Sequence, residues 1–562
     1  MRRPFLVLSL LLAPHVGCDS SNPRFWQPTN NALPMVALDN QVAYVETNSH
    51  IAFLLDPADA SLKPRMVPVG KAPIAAVKHN GSNQILVVSN GDSGSAGVTA
   101  IPPQLQIIDA NPNVAPDVRP LAGRFDGLAQ SVDGRFVVLY HTSSSQDASD
   151  TGLFNPNEMI IVDFTPPPPA SPGVPKLTSK SIRSLGGVPA RIEFSPPTLA
   201  EAGVPVLAVV LSQSYVTIVD LENTDASEIS VPLCAQSTGC TYSPDQILFG
   251  SVDLLDPASP FGPTNPRILD IYVRAKKAND IFQIALSVGN TAAGASDFHA
   301  SLSMLSVGSN PAGMARYGSG KSARLAVLAP DSKRLVIIDP ATSHTLSIPT
   351  TIPTDVIVPF TAFDSFGSPK DKAMLVDTVH GSTSVLFADL GDVEAISGLA
   401  IKDSPLRAAA SDVRTLVDQG IAVLVLGQNT SISGFTVVEF GMTSRFVEIA
   451  ASDGFGTPYL EMHNPSRLWG AVSGTQLIYF NLVERSGEDS LAHKAIWLDQ
   501  TITSIQALDS KSVDGHRYLV VEQRDPDRIG NLTFLDADQP DRATARTAYG
   551  FLFSNYLERG QP

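Results

Sequence analysis

The sequence predicts an all-β chain built as a β-propeller of four-stranded blades, about ten repeat modules in one large ring or two smaller rings. Three observations predict it. First, a short apolar run closing on an acidic or amide residue recurs along the 562 residues, at Asp56, Asp109, Asp163, Asp220, Gln283, Asp339, Asp389, Glu439, Asn481 and Asp536. These anchors lie 42 to 63 residues apart, with a mean of about 53, a repeat that fits the blades of a propeller. Second, tight polar turns separate short apolar runs, as at Pro330-Asp331-Ser332-Lys333 between 325–329 and 335–338, which is the pattern of a hairpin. Third, 44 prolines and 40 glycines suit a turn-rich chain. The nearest candidate helix, 394–401, is short.

Taken in order, runs 35–39, 41–46, 51–56 and 65–69 supply one complete blade. A second opens at Gly70-Lys71-Ala72-Pro73 and runs to 77, turns at Asn80-Gly81-Ser82, continues through 84–88 and closes on 105–109. A third follows with 127–132, an Asp133-Gly134 turn, 135–140 and 159–163; Asp-Gly between apolar runs is a strong hairpin signal, because both residues tolerate positive φ. The fourth has Gly187-Val188-Pro189-Ala190, 206–211 and 215–220. A weaker fifth is read from 268–273 and 280–286, and blades six to ten begin near Val307, Val358, Ala408, Tyr459 and Ile505. Two stretches read as excursions: the proline-rich 165–180, an extended connector, and 234–266 ahead of the fifth blade.

Gly-x-x-Pro openings, Pro-Asp-Gly-like turns and Ile-Asp endings together resemble the YVTN-type bacterial β-propeller repeats. The resemblance covers roughly residues 35–555 and is clearest in 70–225 and 305–350. It implies structure and supplies no catalytic residues.

Length alone suggests several domains, but one closed array absorbs it. With 43% hydrophobic and 17% charged residues the chain is too apolar to be disordered. Its net charge of −16 and lack of any Lys/Arg-rich run exclude nucleic acid as an expected partner.

Met1-Arg2-Arg3 followed by the apolar run 4–13 has the form of a secretory signal and is too short for a membrane span. Val16-Gly17-Cys18 resembles the lipobox of bacterial lipoproteins, although His15 departs from the usual aliphatic residue. Arg2-Arg3 faintly resembles a twin-arginine signal without its flanking Ser and Lys. The expected organisation is therefore a signal peptide at 1–17, a lipidated polar tether at 18–34 carrying lipid on Cys18, and a propeller at 35–562. Cys234 and Cys240 remain; in an oxidising compartment a lone pair is expected to bridge, closing a small loop whose chain-entropy gain is only about 2 kcal/mol.

Several motifs are weighed and set aside. Ala315-Arg316-Tyr317-Gly318-Ser319-Gly320-Lys321-Ser322 nearly matches a P-loop, but Ala315 replaces the first glycine and a strand follows where a helix is needed. Gly91-Asp92-Ser93-Gly94 is similar to a serine-protease nucleophile loop, yet His50 and His79 lack its context. The histidines show no zinc spacing, though His141, His299, His380 and His463 lie near strand ends within reach of a central opening. Asp147, Asp150, Asp525 and Asp527 offer oxygens without a calcium-loop spacing. The recurring Asp56, Asp109, Asp163, Asp220, Asp339, Asp389 and Asp536 are expected to be structural, each fixing the turn that follows.

The expected function is a cell-envelope lipoprotein, membrane-anchored in the periplasm or on the cell surface. Its propeller is read as a non-enzymatic scaffold binding a protein or glycan on one face, with no cofactor, metal or catalytic residue. The alternative is a propeller enzyme with a central-channel site of lactonase, lyase or quinone-dependent dehydrogenase type. The uncharged inner runs 74–77 and 128–132 disfavour it; Arg191 and Glu193, two apart on one strand face, are the exception and are expected to pair.

Overall fold

Apolar runs such as those of Phe136–Tyr140, Leu207–Ser212 and Ile421–Leu426 are buried at every position. A strand reads this way, without alternation, when its sheet is covered on both faces. That is the situation of the middle strands of radially packed blades.

The computed structural model describes residues 32–549, apart from 93, 95–98, 143–154, 166–173, 184–186, 235–240, 255–266, 291–295, 319–322, 364–365, 391–400, 417–419, 428–433, 442–443, 451–458, 464–466, 472–473, 482–491, 509–514, 524–530 and 538–540. Ten four-stranded antiparallel sheets follow one another, over 36–68, 73–120, 127–181, 191–232, 243–306, 313–349, 356–405, 410–450, 459–497 and 502–549. Each is a simple meander of consecutive strands, and none mixes strands from the two ends of the chain. First strands of neighbouring blades approach one another, which places them around the axis; fourth strands form the rim.

The order of packing makes this one ring. Shared apolar cores join blades 1 and 2, 2 and 3, 3 and 4, 4 and 5, 5 and 6, 6 and 7, 7 and 8, and 9 and 10. Blade 10 then packs on blade 1: Leu508, Tyr518, Val520, Leu532 and Phe534 interdigitate with Met35, Val42, Tyr44, Phe53 and Leu55. Two separate rings would instead have closed blade 1 on a blade in mid-chain.

The seam also carries a side-chain clasp. The Gln506 amide accepts from the Ala37 N–H at 2.6 Å and donates to the Met35 carbonyl at 2.6 Å. Arg546 donates to the Pro57 carbonyl at 2.7 Å. The device recurs: Gln246 in blade 5 donates to Met314 O at 2.9 Å and accepts from Met314 N in blade 6. Gln130 in blade 3 donates to Lys78 O at 2.8 Å and accepts from Asn80 N at 3.0 Å in blade 2. A primary amide carries a donor and an acceptor side by side. It therefore gives the free edge of an inner strand the two bonds a further strand would have made.

Nine of the ten anchors sit on or directly after the end of a third strand, from Asp56 after Ile51–Leu55 to Asp536 closing Asn531–Asp536. Gln283 does not: it lies inside Asp280–Asn290, because blade 5 has strands of 10 to 12 residues and its third runs on. The two stretches read as excursions also contain strands. Lys176–Ser181 is the rim strand of blade 3, mostly polar and half-exposed, with only Leu177 packed on a core. Ser243–Leu254 is the inner strand of blade 5, and its bulges beside Pro244 and Phe249 break the apolar rhythm that would have revealed it. Of the candidate helix, Ile401 opens the strand Ile401–Pro405 and the remainder lies outside the described residues. The P-loop-like stretch leaves the strand Gly313–Tyr317 and returns into Arg324–Ala329, an antiparallel hairpin. Residues ahead of 35 already join blade 1, with Ala32 bridged to Glu46 and Leu33 N bonded to Val45 O.

Candidate functional site

The recurring third-strand aspartates cap the turns that follow them. Oδ1 of Asp56, Asp109, Asp163, Asp220 and Asp339 accepts from the amide two residues on, at 2.8 to 3.0 Å. The neighbouring second strand often supplies another partner: Gln84 to Asp109 at 3.1 Å, Arg324 to Asp339 at 3.3 Å, Lys372 to Asp389 at 3.0 Å. Asp536 meets His516 at 2.7 Å. These carboxylates are committed to the backbone and the next strand.

The inner strands set the chemistry of the channel wall. Several of their charges meet opposite charges close by: Lys78 bonds Asp39 at 2.7 Å, Arg191 pairs with Glu193, and Arg414 reaches Asp412 at 2.8 Å. Asp245 receives both arms of Arg274, at 2.9 and 2.8 Å. The bidentate pair is the strongest of the four, since two parallel charge-assisted bonds hold its geometry; the exposed Arg414–Asp412 pair is worth at most about 1 kcal/mol.

Several titratable groups gather near the start of blade 3, around Tyr140 and His141. Asp126, just ahead of the inner strand Gly127–Gln130, accepts from Thr142 N at 2.7 Å and from Thr142 Oγ1 at 2.5 Å, stitching strand start to strand end. Asp355 does the same to Thr378 in blade 7, at 2.6 Å for both bonds. Tyr140 lies flat over Gly127, where a Cβ would sit 2.7 Å from its ring. Burial raises the Tyr140 phenol above its ordinary value, and the Asp126 charge adds to this. His141 is buried and stacked on Phe125, ring centroids 4.7 Å apart. In blade 7, Asp377 is fully buried and accepts from the amides of Val379, His380 and Ser382 and from His380 Nδ1 at 2.9 Å. Burial alone would raise its carboxyl; those donors together outweigh it and hold the group below its ordinary value.

A pH dependence follows. Burial lowers the His141 pKa, against a smaller upward pull from Asp126 and Glu158. The unfolded chain then takes up a proton below about 6.5 that the folded ring resists, so folded stability falls as pH drops through that value. Asp377 acts lower: its contribution is present above the unfolded carboxyl value and is lost as pH falls through the depressed folded one. The urea midpoint of the wild type is expected to drop between about pH 7.5 and 5.5, and His141→Phe to flatten that slope. An unchanged slope in the variant rules His141 out as its source.

His299 lies on the rim strand Ser296–Ser306, at the far end of its blade from the axis, and so does not reach the opening. His380 is held by Asp377, and His463 ends the inner strand Tyr459–His463. His79 is buried as an inter-blade clamp, with Nε2 2.7 Å from Gly134 O, Nδ1 2.8 Å from Ser82 Oγ and its ring against Phe164. Asp92 turns back onto Gly94 N and bonds Lys71. Cys234 follows the rim strand Ile229–Pro232. Cys18, Cys240, Asp147, Asp150, Asp525 and Asp527 lie outside the described residues. Among the described residues no three metal-ligating side chains converge. The glutamine clasps and the Asp126 and Asp355 stitches escaped the sequence reading. Their one signal is the pattern itself: an Asp one residue before a first strand, and a Thr two residues after the second.

The ring and its wall define a β-propeller protein. No family model matches the chain, and no curated protein does. Among solved structures it is similar to dihydro-heme d1 dehydrogenase NirN in complex with DHE, with 12% identity over 91% of this chain and 74% of that one, TM-score 0.34. It is also similar to apo AztD from Citrobacter koseri, 9% identity over 74% and 95%, TM-score 0.34, and to Saccharomyces cerevisiae Sqt1, 9% over 72% and 91%, TM-score 0.32. These are β-propeller proteins. At such identities and TM-scores the likeness says nothing about chemistry, and the fold rests on the ten sheets themselves.

Proposed function

We propose that this chain is a cell-envelope lipoprotein, anchored through Cys18, whose ring is a rigid binding scaffold for a protein or glycan docked on one face. The observation that carries the scaffold reading is the state of most of the inner wall: Lys78, Arg191, Asp245 and Arg414 are each spent on a neighbour in the ring, Arg316 on Gly313–Tyr317 being an exception. Groups tied up in this way hold shape and do not offer a poised acid or base. The anchor reading is supported by the apolar segment 4–13 running into Val16-Gly17-Cys18. We further assign Cys234 and Cys240 to one bridge, because an exported chain with a single remaining pair oxidises it.

One mass-spectrometric experiment on protein from a bacterial membrane fraction tests both parts. The expected N-terminal peptide begins at Cys18 and carries acyl mass, and Cys18→Ala is expected to move the protein into the soluble fraction. Alkylation under denaturing, non-reducing conditions is expected to label neither Cys234 nor Cys240. An unmodified N-terminus, or unchanged partition of Cys18→Ala, removes the anchor; two alkylated thiols remove the bridge.

A further inference from the structure

The fourth strand of each blade is an edge, and an edge with free N–H and C=O groups adds further strands unless something blocks it. Nine of the ten rim strands are short, four to six residues, and guarded. Arg65–Pro68, Asp117–Pro120, Ile229–Pro232, His344–Pro349 and Ile401–Pro405 end on proline. Lys176–Ser181, Arg445–Ala450, Ala492–Trp497 and Arg546–Tyr549 contain Lys, Arg or Glu.

The rim strand of blade 5, Ser296–Ser306, differs in length and in guarding, its one charge being Asp297 near its N-terminal end. It is eleven residues long, pairs on its inner side with Asp280–Asn290 throughout, and from 298 to 306 reads Phe-His-Ala-Ser-Leu-Ser-Met-Leu-Ser, without proline, Asp, Glu, Lys or Arg. Phe298 and Ala300 are packed on the core between blades 4 and 5, and Leu305 in that between blades 5 and 6, so the strand is held straight. Between them Leu302 is 39% and Met304 64% exposed. Among the described residues no strand covers its outer edge.

We infer that this edge pairs antiparallel with the same edge of a second copy, on a two-fold axis at Ser301. Residues 298, 300, 302 and 304 share one face of a strand, and 299, 301 and 303 the other. About that axis Met304 of one copy faces Phe298 of the other, Leu302 faces Ala300, and Ser303 faces His299. Apolar meets apolar and polar meets polar, the arrangement in which cross-strand pairs stabilise. Two molecules of net charge −16 repel, so an uncharged ladder is where they approach at least cost. Nine residues make an edge about 30 Å long, and with a sheet thickness of about 10 Å each copy covers only ~300 Å². That is below the ~1,000 Å² total of a stable interface, so the dimer is weak and reversible.

Sedimentation velocity of the full chain from about 1 to 200 µM tests this. The wild type is expected to pass from monomer to dimer over that range. Added salt, by screening the net charge, is expected to strengthen the association. Leu302→Glu and Met304→Lys each add a charged guard at an exposed position, and both variants are expected to keep the wild-type melting curve while remaining monomeric. A wild type that stays monomeric, including one that instead takes up an added peptide, overturns the inference, as do variants that associate like the wild type.

Discussion

Gly134→Ala is expected to lower the stability of the ring by about 3 kcal/mol, an effect at the upper end for one added methyl group. Gly134 closes the Ser131–Gly134 turn with φ at +72°, a region that costs any residue with a Cβ. The larger effect is steric. A Cβ there would lie 1.8 Å from the carbonyl oxygen of Asn80, which belongs to the facing turn of blade 2 and is itself held. Asn80 donates from its side chain to Ser131 O at 2.8 Å and from its backbone to Gln130. His79, next to it, bonds the Gly134 carbonyl. The methyl group must therefore push apart two turns locked together by three hydrogen bonds, and relaxation loses those bonds too. Gly123→Ala is the control: its Cβ would sit 3.7 Å from Phe125, an ordinary contact, so a change within about 0.5 kcal/mol is expected. Urea midpoints of both variants check this, and equal midpoints would mean that the blade 2–3 turns are not locked.

Phe534→Ala is expected to cost about 3–5 kcal/mol, the range for emptying a fully buried aromatic site. Phe534 is completely buried in the third strand of blade 10, and its cluster reaches across to Tyr44 and Phe53 of blade 1. Because no strand is exchanged across this seam among the described residues, the closure there rests on that packing, the Gln506 clasp and the Arg546 bond. The cavity therefore weakens the one joint that the order of the chain does not itself hold closed. Limited proteolysis is expected to show new cuts in blades 1 and 10 before any in blades 3 to 6. Cleavage spread evenly around the ring would refute this.

Much of the architecture was legible residue by residue. Asp109, Asp163 and Asp339 mark third-strand ends in the sequence and in the fold, because a strand end and the turn after it are decided within a few residues. Asp133-Gly134 announced a hairpin for the same reason, and Arg191 and Glu193, two apart on a strand, announced a pair on one face. What failed was also local in origin. Lys176–Ser181 has no apolar rhythm since only Leu177 of it packs on a core, and Ser243–Leu254 loses its rhythm at two bulges.

Other features have no local signature at all. Whether ten modules make one ring or two depends on whether Gln506 meets Ala37, 469 residues away, and on whether Phe534 packs against Tyr44. Nothing near either residue encodes that distance; it follows from the wedge angle summed over every blade interface. The Asp126–Thr142 stitch and the exposed edge of Ser296–Ser306 arise the same way. Asp126 finds Thr142 only once two strands are paired, and a strand becomes an edge only when the sheet stops there. Short-range periodicity and turn chemistry set the blades, whereas closure, wall chemistry and edge exposure depend on contacts that exist only after the ring has assembled.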